Sequence, residues 1–171
     1  LAQYELVSIE DKNYNTELEN FDFSGSVDAV QLSKDLHETM KALGGAGLAA
    51  NQLGLPHRVA VFATNPTPLT MYNPKIVYYN DEYKVDAEGC LSHPHLSIKI
   101  RRPSVVRVRY QDENGQMKAD TFNGFLAKVV QHEVDHLNGI DFMDRASDFH
   151  LKEARRKMKL HIRKLKKMRL I

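Results

Sequence analysis

The sequence predicts an α+β fold, with mostly antiparallel strands packed around a central helix, one helix before them and a basic helix at the C-terminus. Two observations lead there. Apolar residues recur at helical spacing in three separate stretches, and between the first two lie short β-prone runs divided by clusters of Pro, Asn and Gly. Taken in order, Ala29, Leu32, Leu36, Met40 and Leu43 recur at steps of three and four with charged residues between them, and Gly44-Gly45 ends that helix. Strand-like runs follow at 58–62, 70–72, 76–79, 105–110 and 118–122, the last two joined by a hairpin turn at Asn114-Gly115. From Gly124 the positions Phe125, Leu126, Val129, Val130, Val134 and Leu137 return to helical spacing, and Gly139 closes the segment. Leu151, Ala154, Met158, Ile162, Leu165 and Met168 mark the last helix.

At 171 residues and 42% hydrophobic, the chain has the size of one ordinary domain, and we expect a single domain over 1–171. Every apolar run is short and broken by charge, and residues 1–23 are rich in Asp, Glu and Asn, so neither a membrane span nor a targeting segment is expected. The single cysteine, Cys90, rules out an internal disulfide and suits a reducing compartment. A net charge of +2 conceals an asymmetry: residues 148–171 hold ten Lys and Arg against two acidic side chains, leaving 14 basic and 20 acidic residues elsewhere. A basic tail on an acidic body suggests a polyanionic partner.

Gln131-His132-Glu133-Val134-Asp135-His136 contains H-E-x-x-H on a predicted helix. A four-residue step puts both imidazoles on one face about a turn apart, so they can reach one divalent ion while Glu133 accepts a proton beside it. A water-activating metal usually has three protein ligands, and the third must come from elsewhere. Downstream the first candidates are Asp141 and Asp144; upstream, Cys90 in Glu88-Gly89-Cys90-Leu91-Ser92 follows a strand-like region and a glycine. His93 and His95 offer a rival set with Cys90, but Pro94 breaks regular projection and both are read as surface residues. Gly45-Ala46-Gly47-Leu48-Ala49-Ala50-Asn51-Gln52 imitates a dinucleotide fingerprint, yet it follows a helix and no acid occurs between Lys41 and Asn80. It reads instead as a small-residue loop that allows close backbone approach.

Together these segments resemble the peptide deformylases, whose G-x-G-L-A-A-x-Q, E-G-C-L-S and Q-H-E-x-D-H-L-x-G patterns stand here at 45–52, 88–92 and 131–139 in the same order. The resemblance implies an α+β fold and hydrolysis of the formyl group from formyl-methionyl nascent peptides, the first step of N-terminal methionine processing. By that likeness Cys90, His132 and His136 would bind a divalent ion, iron(II) in the cell, with zinc, nickel or cobalt able to replace it. Glu133 would serve as general base and then acid, Gln52 and the Leu91 N–H would stabilise the oxyanion, and Ala46, Gly47 and Gly89 would pair with the peptide as an added strand. Phe125 and Val129, beside His132, are candidates for the methionine pocket. The basic tail would dock on ribosomal RNA, in a bacterial-type cytoplasm or an organelle matrix. Three departures bear on peptide contacts and subclass: Ala46 replaces a bulkier aliphatic residue, Ser97 an arginine, and residues 1–25 lack the opening common in bacterial members. The competing readings are a metalloprotease and a nucleic-acid-binding protein with a closed structural zinc site.

Overall fold

The structure is a computed structural model that describes residues 4–171, so the first three positions of the N-terminal stretch discussed above lie outside it. Helix α1 spans Ala29–Leu43, begun by Asp28, whose carboxylate accepts from the Gln31 N–H, and ended by Gly44 at φ +71°. Among the described residues the strands are β1 (Gly47–Ala49), β2 (Val59–Phe62), β3 (Leu69–Tyr79), β4 (Tyr83–Cys90), β5 (His93–Pro103), β6 (Val105–Gln111) and β7 (Met117–Asn123). Then come α2 (Gly124–Leu137), a short α3 (Phe142–Arg145) and α4 (Asp148–Lys167). All pairing is antiparallel: five strands in the order β1-β2-β3-β6-β7, and a separate β4-β5 hairpin.

Strand alternation explains how the sheet holds helices on two faces. In β2, Val59 and Val61 point to one side and pack with Leu32, Leu36 and Met40 of α1; Ala60 and Phe62 point to the other and pack with Val130 and Val134 of α2. β1 follows the same rule, with Leu48 toward α1 and Ala49 toward α2. A third apolar cluster lies under the hairpin, where Leu96, Ile98 and Ile100 of β5 meet Phe142 and Ala154, with Leu151 and Met158 partly covering them.

The α+β architecture is as expected, including the three long helices. Runs 70–72 and 76–79 form one strand, β3, with register shifts at its pairing to β6. Pro74 between them suggests a break, but an irregular pairing accommodates it. The hairpin β4-β5 and the short α3 carry no strong sequence signal: β4 is polar because most of it is exposed, and Pro94 at the start of β5 suggests a loop.

Candidate metal centre and active site

One turn of α2 presents His132 and His136 toward the end of β4, and their Nε2 atoms lie 3.2 Å apart. Cys90, the last residue of β4, brings its Sγ to 3.4 Å from His136 Nε2. Among the described residues these three form a cluster in which one donor atom from each lies within 4.8 Å of the others. Both imidazoles are buried and the thiol is partly so. Three convergent soft and borderline donors suit a divalent transition metal. The charge balance agrees. Burial opposes a proton on His132, yet contacts with Cys90 and Glu88 push its pKa up to about 10, so the centre calls for one positive charge that a cation can supply instead. Burial, followed by the nearness of His132, drives His136 well below the ordinary imidazole value, toward the neutral form a ligand needs.

Glu88 orients His132. Its Oε1 accepts from His132 Nδ1 at 3.0 Å and from Arg102 Nη2 at 3.0 Å, while Oε2 accepts from Arg102 Nε at 2.6 Å. Arg102 reaches Asp135 on the same helix at 2.9 Å, and Arg145 closes on Asp135 at 2.8 Å. Two carboxylates and two guanidiniums thus form a network behind the centre, Glu88, Arg102 and Asp135 all being buried. Burial raises the Glu88 pKa, but His132 and Arg102 outweigh it and hold the group below its ordinary value.

The opposite wall comes from the glycine loop and the 3-10 turn after it. Ala49 N–H donates to Gln52 Oε1 at 3.0 Å, which turns the Gln52 amino group to Ser92 Oγ at 3.1 Å and Cys90 Sγ at 3.7 Å. Glu133 is fully buried, its Oε2 has no hydrogen-bond partner among the described residues, and desolvation raises its pKa to about 7. Gly47 lies against it: a Cβ there would fall 2.8 Å from Glu133 Cγ and 2.9 Å from Val129 Cγ1. At Gly45 a Cβ would fall 2.8 Å from Leu91 Cδ1, so here too the loop approaches its neighbour as closely as glycine permits. Above the centre opens a cavity of about 480 Å³ whose lining includes Ala46, Gly47, Gly89, Leu91, Phe125 and Val129. Phe125 stands at its rim, 65% exposed.

The structure therefore places Cys90, His132, His136, Glu133 and Gln52 around one point and the five proposed peptide-contacting residues on the cavity wall above it. It corrects one expectation. His93 is not a surface residue: its side chain is only 9% exposed and its Nε2 is bound to Asp141 Oδ2 at 2.5 Å. Pro94 does break regular projection, as His95 at φ +67° shows, but the break leaves His93 facing inward beneath α3. His95 is exposed, near His161 of α4. Asp141 and Asp144, weighed as downstream donors, are both engaged at the start of α3. Sequence reading missed the supporting set Glu88, Arg102, Asp135 and Arg145. The two-residue step from Ile98 and Ile100 was the available signal that Arg102 faces inward.

A helix-borne H-E-x-x-H pair, an upstream cysteine donor and a buried carboxylate under an open groove are the build of a metal-dependent hydrolase. Residues 3–152 match the polypeptide deformylases, and the chain belongs to that family. It is 41% identical to a peptide deformylase of Microchaete diplosiphon over 123 residues, 69% of this chain and 66% of that one, just under two thirds of the relative's length. It is also 41% identical to a peptide deformylase of Bartonella quintana over 142 residues, 80% of this chain and 77% of the other. Among solved structures, the Thermotoga maritima peptide deformylase superposes with a TM-score of 0.81 at 31% identity, covering 86% of this chain and 99% of that one. The Synechococcus elongatus peptide deformylase, solved in complex with actinonin, gives 0.82 at 33% identity, covering 90% and 88%.

Proposed function

We propose that this chain hydrolyses the formamide of N-terminal formyl-methionine on nascent peptides, releasing formate and a free amine. The observation that carries the reading is Glu133: a buried carboxylate with one unpartnered oxygen, beside three convergent donors, on the floor of a cavity edged by glycine backbone. Cys90, His132 and His136 would hold the ion, which supplies Lewis acidity and lowers the pKa of water toward about 7. Iron(II) is our choice for the cell because the thiolate softens the site, with zinc, nickel or cobalt as substitutes.

In the chain's own part of the chemistry, Glu133 accepts the proton of the attacking water through its free Oε2 and returns it to the nitrogen that leaves, so that no amide anion departs. The Gln52 amino group, aimed by Ala49, donates to the oxygen that gains charge, together with the Leu91 N–H. Losing one such donor commonly costs on the order of 3 kcal/mol of transition-state stabilisation. Gly47 and Gly89 offer backbone to an extended peptide, and Ala46, Phe125 and Val129 bound an apolar space for methionine. A Cβ at Gly89 would meet open space, so nothing among the described residues competes with a peptide there. The test is formate release from a formyl-Met tripeptide by anaerobically prepared protein loaded with iron(II), nickel or cobalt. Glu133→Ala should keep the metal and lose turnover, and Cys90→Ala should lose the metal; turnover by Glu133→Ala at the wild-type rate would overturn the mechanism. Actinonin, bound by the Synechococcus relative, should compete for the same cavity.

We further propose that α4 docks on ribosomal RNA and that the enzyme works where formylated chains are made, a bacterial-type cytoplasm or an organelle matrix. No helix among the described residues is long and apolar enough to cross a membrane. α4 packs on β5 through Leu151, Ala154 and Met158, leaving Arg156, Lys159, Arg163 and Lys167 exposed. Deleting the whole tail would uncover Ile98 and Phe142, so charge reversal is the cleaner probe. Reversing Lys159, Arg163, Lys166 and Lys167 to Glu should abolish salt-sensitive co-sedimentation with ribosomes and spare tripeptide turnover; unchanged sedimentation would sink the docking proposal.

A further inference from the structure

Behind the imidazole of His136 lies a hydrogen-bonded cluster that the chemistry above does not use. Tyr14, in the atypical N-terminal stretch, is 2% exposed and sets its ring edge-on to His136, centroids 5.4 Å apart at 61°. The Tyr14 hydroxyl donates to Asp141 Oδ2 at 2.5 Å, and His93 Nε2 meets the same oxygen at 2.5 Å. Asp141 Oδ1 accepts from the Met143 N–H at 2.8 Å, so the carboxylate is fixed by α3 as well. On the other side, the His93 ring packs on Phe142, and Phe142 stands edge-on to His132, each pair 5.4 Å between centroids. One carboxylate therefore ties together an aromatic wall that touches both imidazoles.

The two histidines are not held alike. An imidazole that binds a metal through one nitrogen is normally oriented by an acceptor at the other. His132 has one, Glu88 at its Nδ1. His136 Nδ1 is buried and has no hydrogen-bond partner among the described residues. Its backbone is anchored, since Asn51 Nδ2 donates to His136 O, but that bond does not stop the ring turning about its Cβ–Cγ bond. What restrains the ring is the surface packed against it, and a surface serves only if it is itself rigid. A tyrosine held at its far end by Asp141 is rigid; a leucine in the same place would leave the ring several orientations.

We propose that Tyr14, locked by Asp141 and His93, is a positioning residue that aims the His136 ring at the shared donor point, replacing the acceptor that its Nδ1 lacks. The inference rests on the reading of His136 as a metal donor.

The test uses cobalt(II) as the probe on the full chain, with affinity measured by competition against a chelating dye and geometry by the visible ligand-field bands. Cys90→Ala serves as the control on the underlying reading: if the wild type binds cobalt no better than this variant, the metal-centre reading fails and positioning has no object. With that control passed, Tyr14→Leu should weaken cobalt about tenfold or more and broaden or shift the bands. It should lower kcat while leaving KM unchanged, because the peptide groove is not touched. Tyr14→Phe keeps the ring and loses its lock, so it should fall between the two, and Asp141→Asn should resemble it. Wild-type cobalt affinity and bands in Tyr14→Leu, with only a lower melting temperature, would overturn the proposal. Should Tyr14→Leu fail to fold, Tyr14→Phe and Asp141→Asn decide: affinity within twofold of wild type in both overturns it.

Discussion

Replacing Glu88 by Gln changes one oxygen into an amino group and removes one charge, and the structure says where both effects fall. The carboxylate is 3% exposed and serves three donors: His132 Nδ1, Arg102 Nε and Arg102 Nη2. An amide has a single oxygen, so in either orientation its N–H groups must face at least one of those donors. If His132 is left facing an N–H, the imidazole loses the partner that orients it, and loss of such partners typically weakens metal binding 10- to 100-fold, about 1.4–2.7 kcal/mol. If Arg102 is left instead, a buried guanidinium keeps only Asp135 as its ionic partner, and breaking a buried pair costs about 3–5 kcal/mol. Asp135 and Arg145 can relax to share that loss, so the lower end applies, a drop in Tm on the order of 10 °C. Two measurements separate the outcomes: zinc affinity by chelator competition, and thermal melting of the metal-free and metal-saturated forms. A variant that binds zinc within twofold of wild type and melts within 2 °C of it in both forms would refute the assignment of Glu88 as the orienting and charge-balancing group.

Gly47→Ala should push its new methyl against Glu133 and Val129, where separations of 2.8–2.9 Å leave no room. Overpacking of this kind costs about 1–3 kcal/mol in stability, and formate release should fall about 100-fold or more with metal content retained, which metal analysis beside kinetics would check. Gln52→Leu, which keeps approximate size and loses the amino group, should reduce kcat by about 100-fold with little change in KM, measured on a formyl-Met tripeptide. Ile98→Ala, at a fully buried position under α4, should lower unfolding free energy by about 2–5 kcal/mol in urea. For Asp141, burial alone would raise the pKa, but His93, Tyr14 and the Met143 N–H bring it down to about 2 from an ordinary 3.8. Its stabilisation is therefore complete above about pH 4 and lost as pH falls toward 2, contributing about 1–2 kcal/mol after solvent screening; Asp141→Asn should flatten that part of the stability curve in urea titrations between pH 5 and 2.

Legibility followed the source of each signal. α1, α2 and α4 repeat apolar residues every three to four positions because each buries one stripe against a layer, and Gly44 and Gly139, at φ +71° each, stand where left-handed backbone follows a helix. Of the candidate metal donors, the two histidines were legible from their four-residue step on one helix, while Cys90 was singled out from its rivals by the resemblance of the E-G-C-L-S segment. β4 was legible only as a strand-like region before Cys90, without bounds: Glu88 is its one buried side chain, so alternation of apolar and polar residues never appears. The inward turn of His93 was hidden for a different reason. A histidine beside a proline in a polar stretch carries no local sign of its partner, and Asp141 lies 48 residues away.

The same distance in sequence explains why the centre can be stiff without a regular element of its own. Its donors come from β4 and α2, its amide from the turn after β1, and its supports from β5, α3 and the N-terminal segment. These fall into three apolar clusters: α2 in the one beneath the sheet, Leu48 and Leu53 on either side of Gln52 in the one under α1, and Cys90, β5 and Phe142 in the one beneath α4. Where the three meet, apolar packing gives way to polar groups, and among the described residues Glu133 Oε2, His136 Nδ1 and Asn51 Oδ1 find no hydrogen-bond partner there. For Glu133 the unpaired oxygen is the one free to take a proton. For His136 it marks a ring held by packing, and this makes Tyr14, outside every recognisable motif, the side chain on which the geometry of that histidine depends.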